Sequence, residues 1–459
     1  MSLTGHIGTF AATMAADGMP SEARERARRG FVDCLAVMVA GSTQEGVRIL
    51  RSTLGAGTAG GEASLHLSEL RACAVTAALV NGTAAHALDY DDTSPAGHRS
   101  AVLVPAILAE GEVIGATGAA MLTAYVVGFE VWSELARREP GQLHERGWHP
   151  TGAYGAAAAA AAIANLRRLG SIEAVHAIGI GASQTGGLVA NFGSMTKPFH
   201  AGRAASSGLL AARLAANGMT ASDTVIEHPQ GLLSAVSHQG GVDLESPCRL
   251  GTAWRILEQG LSFKKYPVCY CSHRAIDAIL DLRVQLGFDA ADIVEIEARI
   301  GTTQATVLEH HRPTTALAAK FSLEFALACA VLDGDVALAH LTDARVQAPA
   351  MRDLMAKIRV AIIAERDPLL PGYSPYDQVQ LRLASGEVRL SKRVARARGH
   401  ITDADLRRKF NDCLAFAGSD LDADAMFDLL QDFEELPAGW TASLPRIRPP
   451  SRSARTAAG

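Results

Sequence analysis

The chain has 459 residues, of which 48% are apolar, 20% charged and only 5% aromatic. Its 43 Lys and Arg against 48 Asp and Glu give a formal charge of −5, which argues against a chain-wide nucleic-acid footprint. The length is ample for a large buried core without disulfide or metal staples, and so few aromatics predict a core of Ala, Leu, Val and Ile in closely packed helices. Seven irregularly spaced cysteines read as reduced thiols of a cytoplasmic protein rather than a disulfide framework. The first twenty residues carry neither a basic segment nor a leucine-rich one, so no signal peptide is expected. The Ala-rich run at 156–162 is too weakly apolar for a membrane span.

In chain order, helices are predicted over 20–41, 68–88, 119–135, 155–168 and 204–217. Pro20 and Ser21 start the first and Gly41 stops it, while Ser171 reads as the N-cap of a further helix. The pattern then changes. Residues 293–300 alternate as a half-buried strand does, and 358–362 do so more weakly. Residues 379–383 and 387–390 flank Ser385-Gly386 as a hairpin. Helices are expected at 320–333 and 336–343, and again after Thr402, whose sequence Thr402-Asp403-Ala404-Asp405 is a cap signal. The chain thus reads as a helical region 1–265, an α+β region 266–401, a helical segment 402–448 and a disordered tail 449–459. Hydrophobic pattern alone leaves open whether 402–448 packs back onto the first region.

Four stretches could carry chemistry. Asp89, Asp91 and Asp92 crowd a predicted helix C-terminus, where they oppose the macrodipole, and His98 follows Gly97. The run is either a solvated acidic turn or a cluster compensated by cations. In Gly147-Trp148-His149-Pro150-Thr151-Gly152, His149 either transfers protons at a helix start or merely caps it. In Gly193-Ser194-Met195-Thr196-Lys197-Pro198, Pro198 is expected to force Lys197 into an extended conformation that projects its ammonium. The spacing of a phosphate loop is absent. The run Lys264-Lys265-Tyr266-Pro267-Val268-Cys269-Tyr270-Cys271-Ser272-His273 invites a zinc reading. A structural zinc site needs four ligands, commonly two separated pairs, and no second pair follows. Neither a nucleotide loop, a flavin fingerprint nor a serine-hydrolase elbow is present. Histidines, carboxylates and single cations on separate segments suit proton transfer on a small anionic substrate without cofactor or metal.

The strings NGTAAHALDYDDT, GWHPTGAYGA, GSMTKPFHAGRAA and KKYPVCYCSHRAID, in this order, resemble the MmgE/PrpD family of 2-methylcitrate dehydratases, cis-aconitate decarboxylases and iminodisuccinate epimerases. The resemblance implies a mainly α fold, with a large all-helical domain completed by 402–448 and an inserted smaller α+β lid domain. It also implies a homodimer with an active site between domains, no nucleic-acid or membrane partner, and a small carboxylate substrate. Residue by residue it implies catalytic roles for His98, His149, Asp89 and Lys197, and substrate-holding roles for Thr93, Lys264, Cys269 and Arg203. Two positions depart from the decarboxylase pattern: Cys269 stands where a histidine is found, and Phe325 where a tyrosine is found. Both changes remove polar groups and count against strict cis-aconitate decarboxylation.

The leading expectation is therefore a cofactor-free enzyme in which Lys197 and Lys264 hold carboxylates. One of His98 and His149 abstracts the acidified proton and the other donates. Loss of a β-hydroxyl gives dehydration, as for 2-methylcitrate. Return of the proton to the opposite face gives epimerisation, as for iminodisuccinate. A non-catalytic carboxylate binder is the remaining alternative, although binding alone needs only the cations.

Overall fold

A computed structural model describes all residues except 58–59, 140–142, 238–240, 369–372, 396–400 and 445–459. The expected tail 449–459 lies outside the described residues. The chain divides into two compact units, one formed by Met1–Val189, Thr196–Phe263 and Thr402–Gly459, the other by Ala190–Met195 and Lys264–Ile401.

The first unit is helical. Its helices are α1 (Leu3–Thr13), α2 (Ser21–Gly41), α3 (Glu45–Thr53), α4 (Ala74–Ala87), α5 (Ser100–Ile114), α6 (Gly118–Arg138), α7 (Pro150–Leu166), α8 (Ser171–Ala182) and α9 (Thr196–Ala216). The short α10 (Leu232–Val236) and α11 (Arg255–Glu258) follow, and a two-stranded ribbon, β1 (Ala63–Ser64) with β2 (Arg71–Ala72), precedes α4. The helix expected over 68–88 is thus shorter, because its first residues enter that ribbon. Helix α7 is buried on every side, and its alanines let α5, α6, α8 and α9 all pack against it. Helices α4 and α9 meet backbone to backbone: a Cβ on Gly202 would stand 2.2 Å from the Leu79 carbonyl oxygen, and one on Gly82 would stand 2.8 Å from Gly202 Cα. This close crossing brings the end of α4 and the start of α9 together.

Two expectations are corrected here. Ser171 is the first residue of α8 rather than its cap; Gly170 holds that position, and its N–H donates to Glu173 Oε2 at 2.8 Å. Lys197 is not extended. It lies in the first turn of α9, which begins eight residues before the predicted start. Proline is tolerated there because first-turn N–H groups have no intrahelical acceptor.

The second unit contains α12 (His273–Leu286), β3 (Ile293–Gly301), α13 (Thr302–Val307), α14 (Ala316–Ala319), α15 (Leu323–Asp333), α16 (Asp343–Gln347), α17 (Pro349–Met355), β4 (Ile358–Ile363), β5 (Gln378–Leu383) and β6 (Val388–Leu390). The sheet order is β4-β3-β5-β6, with β3 and β4 parallel and the other pairs antiparallel. Ile296, Ala298 and Ile300 of β3 with Val379 and Leu381 of β5 form its buried side. The helix expected over 336–343 breaks into a single tight turn, Leu338–His340, followed by α16. Back in the first unit, α18 (Asp403–Phe416) starts at Thr402, whose hydroxyl accepts from the Asp405 N–H at 3.1 Å, and packs along α2; α19 (Ala423–Gln431) follows. No helix among the described residues is long and apolar enough to cross a membrane.

Candidate active site

The acidic run after α4 is not a solvated turn: Asp89, Asp91 and Asp92 are all buried. Asp89 takes a left-handed backbone (φ 51°), a conformation Asp tolerates better than most residues, and turns the chain sharply off the helix. Successive residues then face opposite ways. Asp89 and Asp91 meet histidines and Lys197, whereas the Tyr90 carbonyl and the Asp92 N–H meet Lys409 of α18 and Asp33 of α2.

Asp91 bridges two imidazoles. His86 Nδ1, from the last turn of α4, lies 2.9 Å from Oδ1, and His98 Nδ1 lies 2.8 Å from Oδ2. Burial alone would raise the Asp91 carboxyl, but the two imidazoles hold it well below the usual carboxylate range. An ionised carboxylate only accepts, so both Nδ1 atoms carry hydrogen. His86 is pushed down to about 3, first by burial; Asp91 opposes this, and Lys197 and His98 add to it. A neutral His86 with hydrogen on Nδ1 presents its Nε2 lone pair to the Lys197 ammonium, 3.0 Å away. Lys197 also reaches Asp89 Oδ1 at 2.5 Å.

His98 follows a tight turn in which Ser94 and Gly97 exchange backbone hydrogen bonds of 3.2 and 3.1 Å. Gly97 has φ +125°, and Trp132 Nε1 holds the Ala96 carbonyl at 2.9 Å. The His98 N–H donates to Thr151 Oγ1 at 3.2 Å, which docks the turn on the start of α7. His98 is the least buried imidazole around Asp91, with 14% of its side chain exposed against none for His86. His149 precedes α7 and is buried; its Nδ1 lies 3.1 Å from Nδ1 of His200, on α9. Burial, then Lys197 and neighbouring histidines, hold His149 well below its ordinary value, and burial with Lys197 brings His200 to about 4. Both rings are therefore neutral near pH 7, with one N–H shared between them.

The structure thus gathers four of the expected residues, Asp89, His98, His149 and Lys197, around helices α4, α7 and α9. It adds His86, Asp91 and His200, which sequence reasoning did not assign. His86 and Asp91 stand inside the motif already singled out, and His200 three residues beyond Lys197. Thr93 is half-buried and pairs with Ser262 through backbone bonds of 3.0 and 2.7 Å. Arg203 is exposed on α9. Lys264 and Cys269 belong to the second unit, where both are buried and the Cys269 N–H donates to the Lys320 carbonyl at 2.9 Å. Phe325 is wholly buried on α15.

His86, Asp89, Asp91 and His98 place one ligand atom each within 4.8 Å of one another, a donor set that could take a divalent cation. The Lys197 ammonium already sits on two of these groups, and both Asp91 oxygens are engaged by imidazoles. The cluster is arranged around a built-in cation.

Residues 5–245 match the MmgE/PrpD N-terminal domain and residues 266–432 the MmgE/PrpD C-terminal domain. The chain is 28% identical over 377 residues to cis-aconitate decarboxylase of Mus musculus, covering 78% of this chain and 75% of the relative. It is 27% identical over 351 residues to cis-aconitate decarboxylase of Homo sapiens, covering 73% and 71%. With cis-aconitate decarboxylase of Aspergillus terreus it shares 25% identity over 414 residues, covering 84% and 82%. With both domains matched in order across most of its length, the chain belongs to the MmgE/PrpD family.

Proposed function

We propose that the protein is a lyase acting on a small di- or tricarboxylate by cofactor-free acid–base chemistry, with loss of water as its reaction. The observation that carries this reading is the partly accessible His98, its Nδ1 held by an ionised Asp91, in one cluster with the Lys197 ammonium. A substrate carboxylate takes Lys197 as counter-ion, in competition with Asp89, and the neighbouring C–H becomes more acidic. His98 Nε2 takes that proton. The C–H electron pair forms the new C=C bond as the β C–O bond breaks. The departing oxygen receives a proton from the His98 imidazolium so formed or from water, and water leaves. Thr93, Lys264, Cys269 and Arg203 remain the proposed substrate-holding set, and the homodimer belongs to the same reading.

The relatives favour a second reading, loss of carbon dioxide. Here the C–C bond to a carboxylate breaks, its electron pair moves through an adjacent C=C, and His98 delivers a proton to carbon instead of taking one. Cys269 and Phe325 count against cis-aconitate itself as the substrate. Epimerisation would require a second competent base, and His149, held well below its ordinary value, is a poor one.

The test is turnover on a panel of 2-methylcitrate, citrate, cis-aconitate and iminodisuccinate, with and without a chelator. Alkene formation from a hydroxy acid, unchanged by chelation, is the expected result. Carbon dioxide release without alkene formation would select the second reading. Activity lost on chelation and restored by a divalent metal would contradict the cofactor-free chemistry.

A further inference from the structure

Between Lys197 and His98 runs an unbroken line of hydrogen bonds. Lys197 Nζ meets His86 Nε2 at 3.0 Å, His86 Nδ1 meets Asp91 Oδ1 at 2.9 Å, and Asp91 Oδ2 meets His98 Nδ1 at 2.8 Å. The side chains of His86 and Asp91 are wholly buried, and both Asp91 oxygens are engaged by imidazoles. We propose that Asp91 and His86 are positioning residues: Asp91 fixes His98 with hydrogen on Nδ1 and the lone pair on Nε2, and His86 makes that choice obligatory by its bond to Lys197. The proposal rests on reading His98 as the proton-transfer base.

Donor and acceptor counting gives the reason. An ammonium only donates, so His86 Nε2 must accept, and the hydrogen of His86 is confined to Nδ1. Asp91 must therefore accept from His86 on one oxygen. Its other oxygen accepts from His98 and faces the imidazolium that forms when Nε2 takes a proton. An asparagine at this position has one accepting and one donating end. The accepting end is claimed by His86, because reversing His86 would set its N–H against the ammonium. The donating NH2 then faces His98 and drives that ring to the opposite tautomer, with hydrogen on Nε2 and no basic lone pair there. A single carboxylate between two imidazoles thus makes Asp91→Asn selective for His98, even though the two bonds are nearly equal in length.

The decisive measurement is ¹⁵N NMR of the full-length protein with labelled imidazoles, assigned with His98→Asn, since ring-nitrogen shifts separate the tautomers without reference to turnover. The wild type should show His98 with hydrogen on Nδ1, and Asp91→Asn should move it to Nε2. In the same variant kcat should fall by about 10²–10⁴-fold, with KM changed only a few-fold. The acid limb of the kcat/KM profile should shift as well. That limb is also influenced by the groups in His98's electrostatic surroundings: His86 from α4, His149 at the start of α7, Lys197 from α9 and His144 in the preceding turn. Asp91→Glu should restore part of kcat. A folded Asp91→Asn with His98 still protonated on Nδ1 would overturn the proposal. If that variant fails to fold, wild-type His98 carrying hydrogen on Nε2 overturns it equally. A tautomer change with undiminished turnover would uphold the positioning role and instead refute His98 as the base.

Discussion

Two stretches combine cations, histidines or thiols with carboxylates close in sequence, and the fold uses them differently. Around 86–98, polar groups of one short segment meet helices from elsewhere in the chain: the His86 and Asp89 side chains meet Lys197 on α9, the Tyr90 carbonyl meets Lys409 on α18, and the Asp92 N–H meets Asp33 on α2. Around 264–273, three side-chain bonds run to nearby chain. Tyr266 donates to Asp277 at 2.9 Å, the Ser272 hydroxyl to the Cys269 carbonyl at 2.7 Å, and His273 Nε2 to the Val268 carbonyl at 3.2 Å. A hydrogen bond with the adjoining Cys269 thiol, then burial, pushes Cys271 well up, so it stays a thiol. The first stretch converts buried charge into a network with tautomers and protonation states fixed at each atom. In the second, these bonds brace the start of the helix that follows. Whether a polar run is buried depends on the distant elements that converge on it, not on its density in sequence.

The largest effect that follows is on turnover. His98→Asn should lower kcat by about 10²–10⁴-fold, the range for a lost general acid–base group. Cys269→Ser, in the second stretch, should cost far less. Steady-state kinetics on one substrate compares them directly; a larger loss from Cys269→Ser would reverse the contrast. Next comes stability. Lys409 Nζ lies 2.7 Å from Asp33 Oδ1 and 2.7 Å from the Tyr90 carbonyl, so Lys409→Met leaves a buried carboxylate without its cation. Breaking such a pair costs about 3–5 kcal/mol, and a denaturant midpoint should show it. A neutral result would mean that Lys409 does not hold the Asp89–Asp92 loop.

The smallest effect is a pH dependence. His200 is brought from 6.5 to about 4 in the folded chain. Between those values the unfolded chain binds a proton at this site that the folded chain refuses, so the wild type loses stability there as pH falls. His200→Gln lacks that term. The Tm of His200→Gln relative to wild type should therefore rise as pH is lowered from 7 toward 4. A constant difference would show that His200 titrates normally.

The fold was legible where hydrophobic period and punctuation agree, as in α2, β3, the β5–β6 hairpin and the Thr402 cap. It was less so where tertiary contact overrides local preference. Lys197-Pro198 looks extended in isolation, yet α9 begins there because proline is harmless in a first turn and the glycine crossing with α4 anchors the helix. At the site, the motifs singled out Asp89, His98, His149 and Lys197 as candidates, but the partners of His86 and Asp91 could not be read from them. Whether three aspartates within four residues are solvated or buried depends on Lys197 and Lys409, more than a hundred and more than three hundred positions away. Nor does sequence distance separate His98 from His149; only burial does.

Whether His98 moves a proton at a carbon beside a carboxylate is read by solvent exchange. Wild-type protein and His98→Asn are incubated in D2O with each acid of the panel, and recovered substrate and product are examined by NMR for deuterium on carbon. The account predicts incorporation by the wild type at one carbon of a turned-over acid and its near-complete loss in His98→Asn, with His149→Asn retaining measurable exchange. Equal incorporation by wild type and His98→Asn would contradict it.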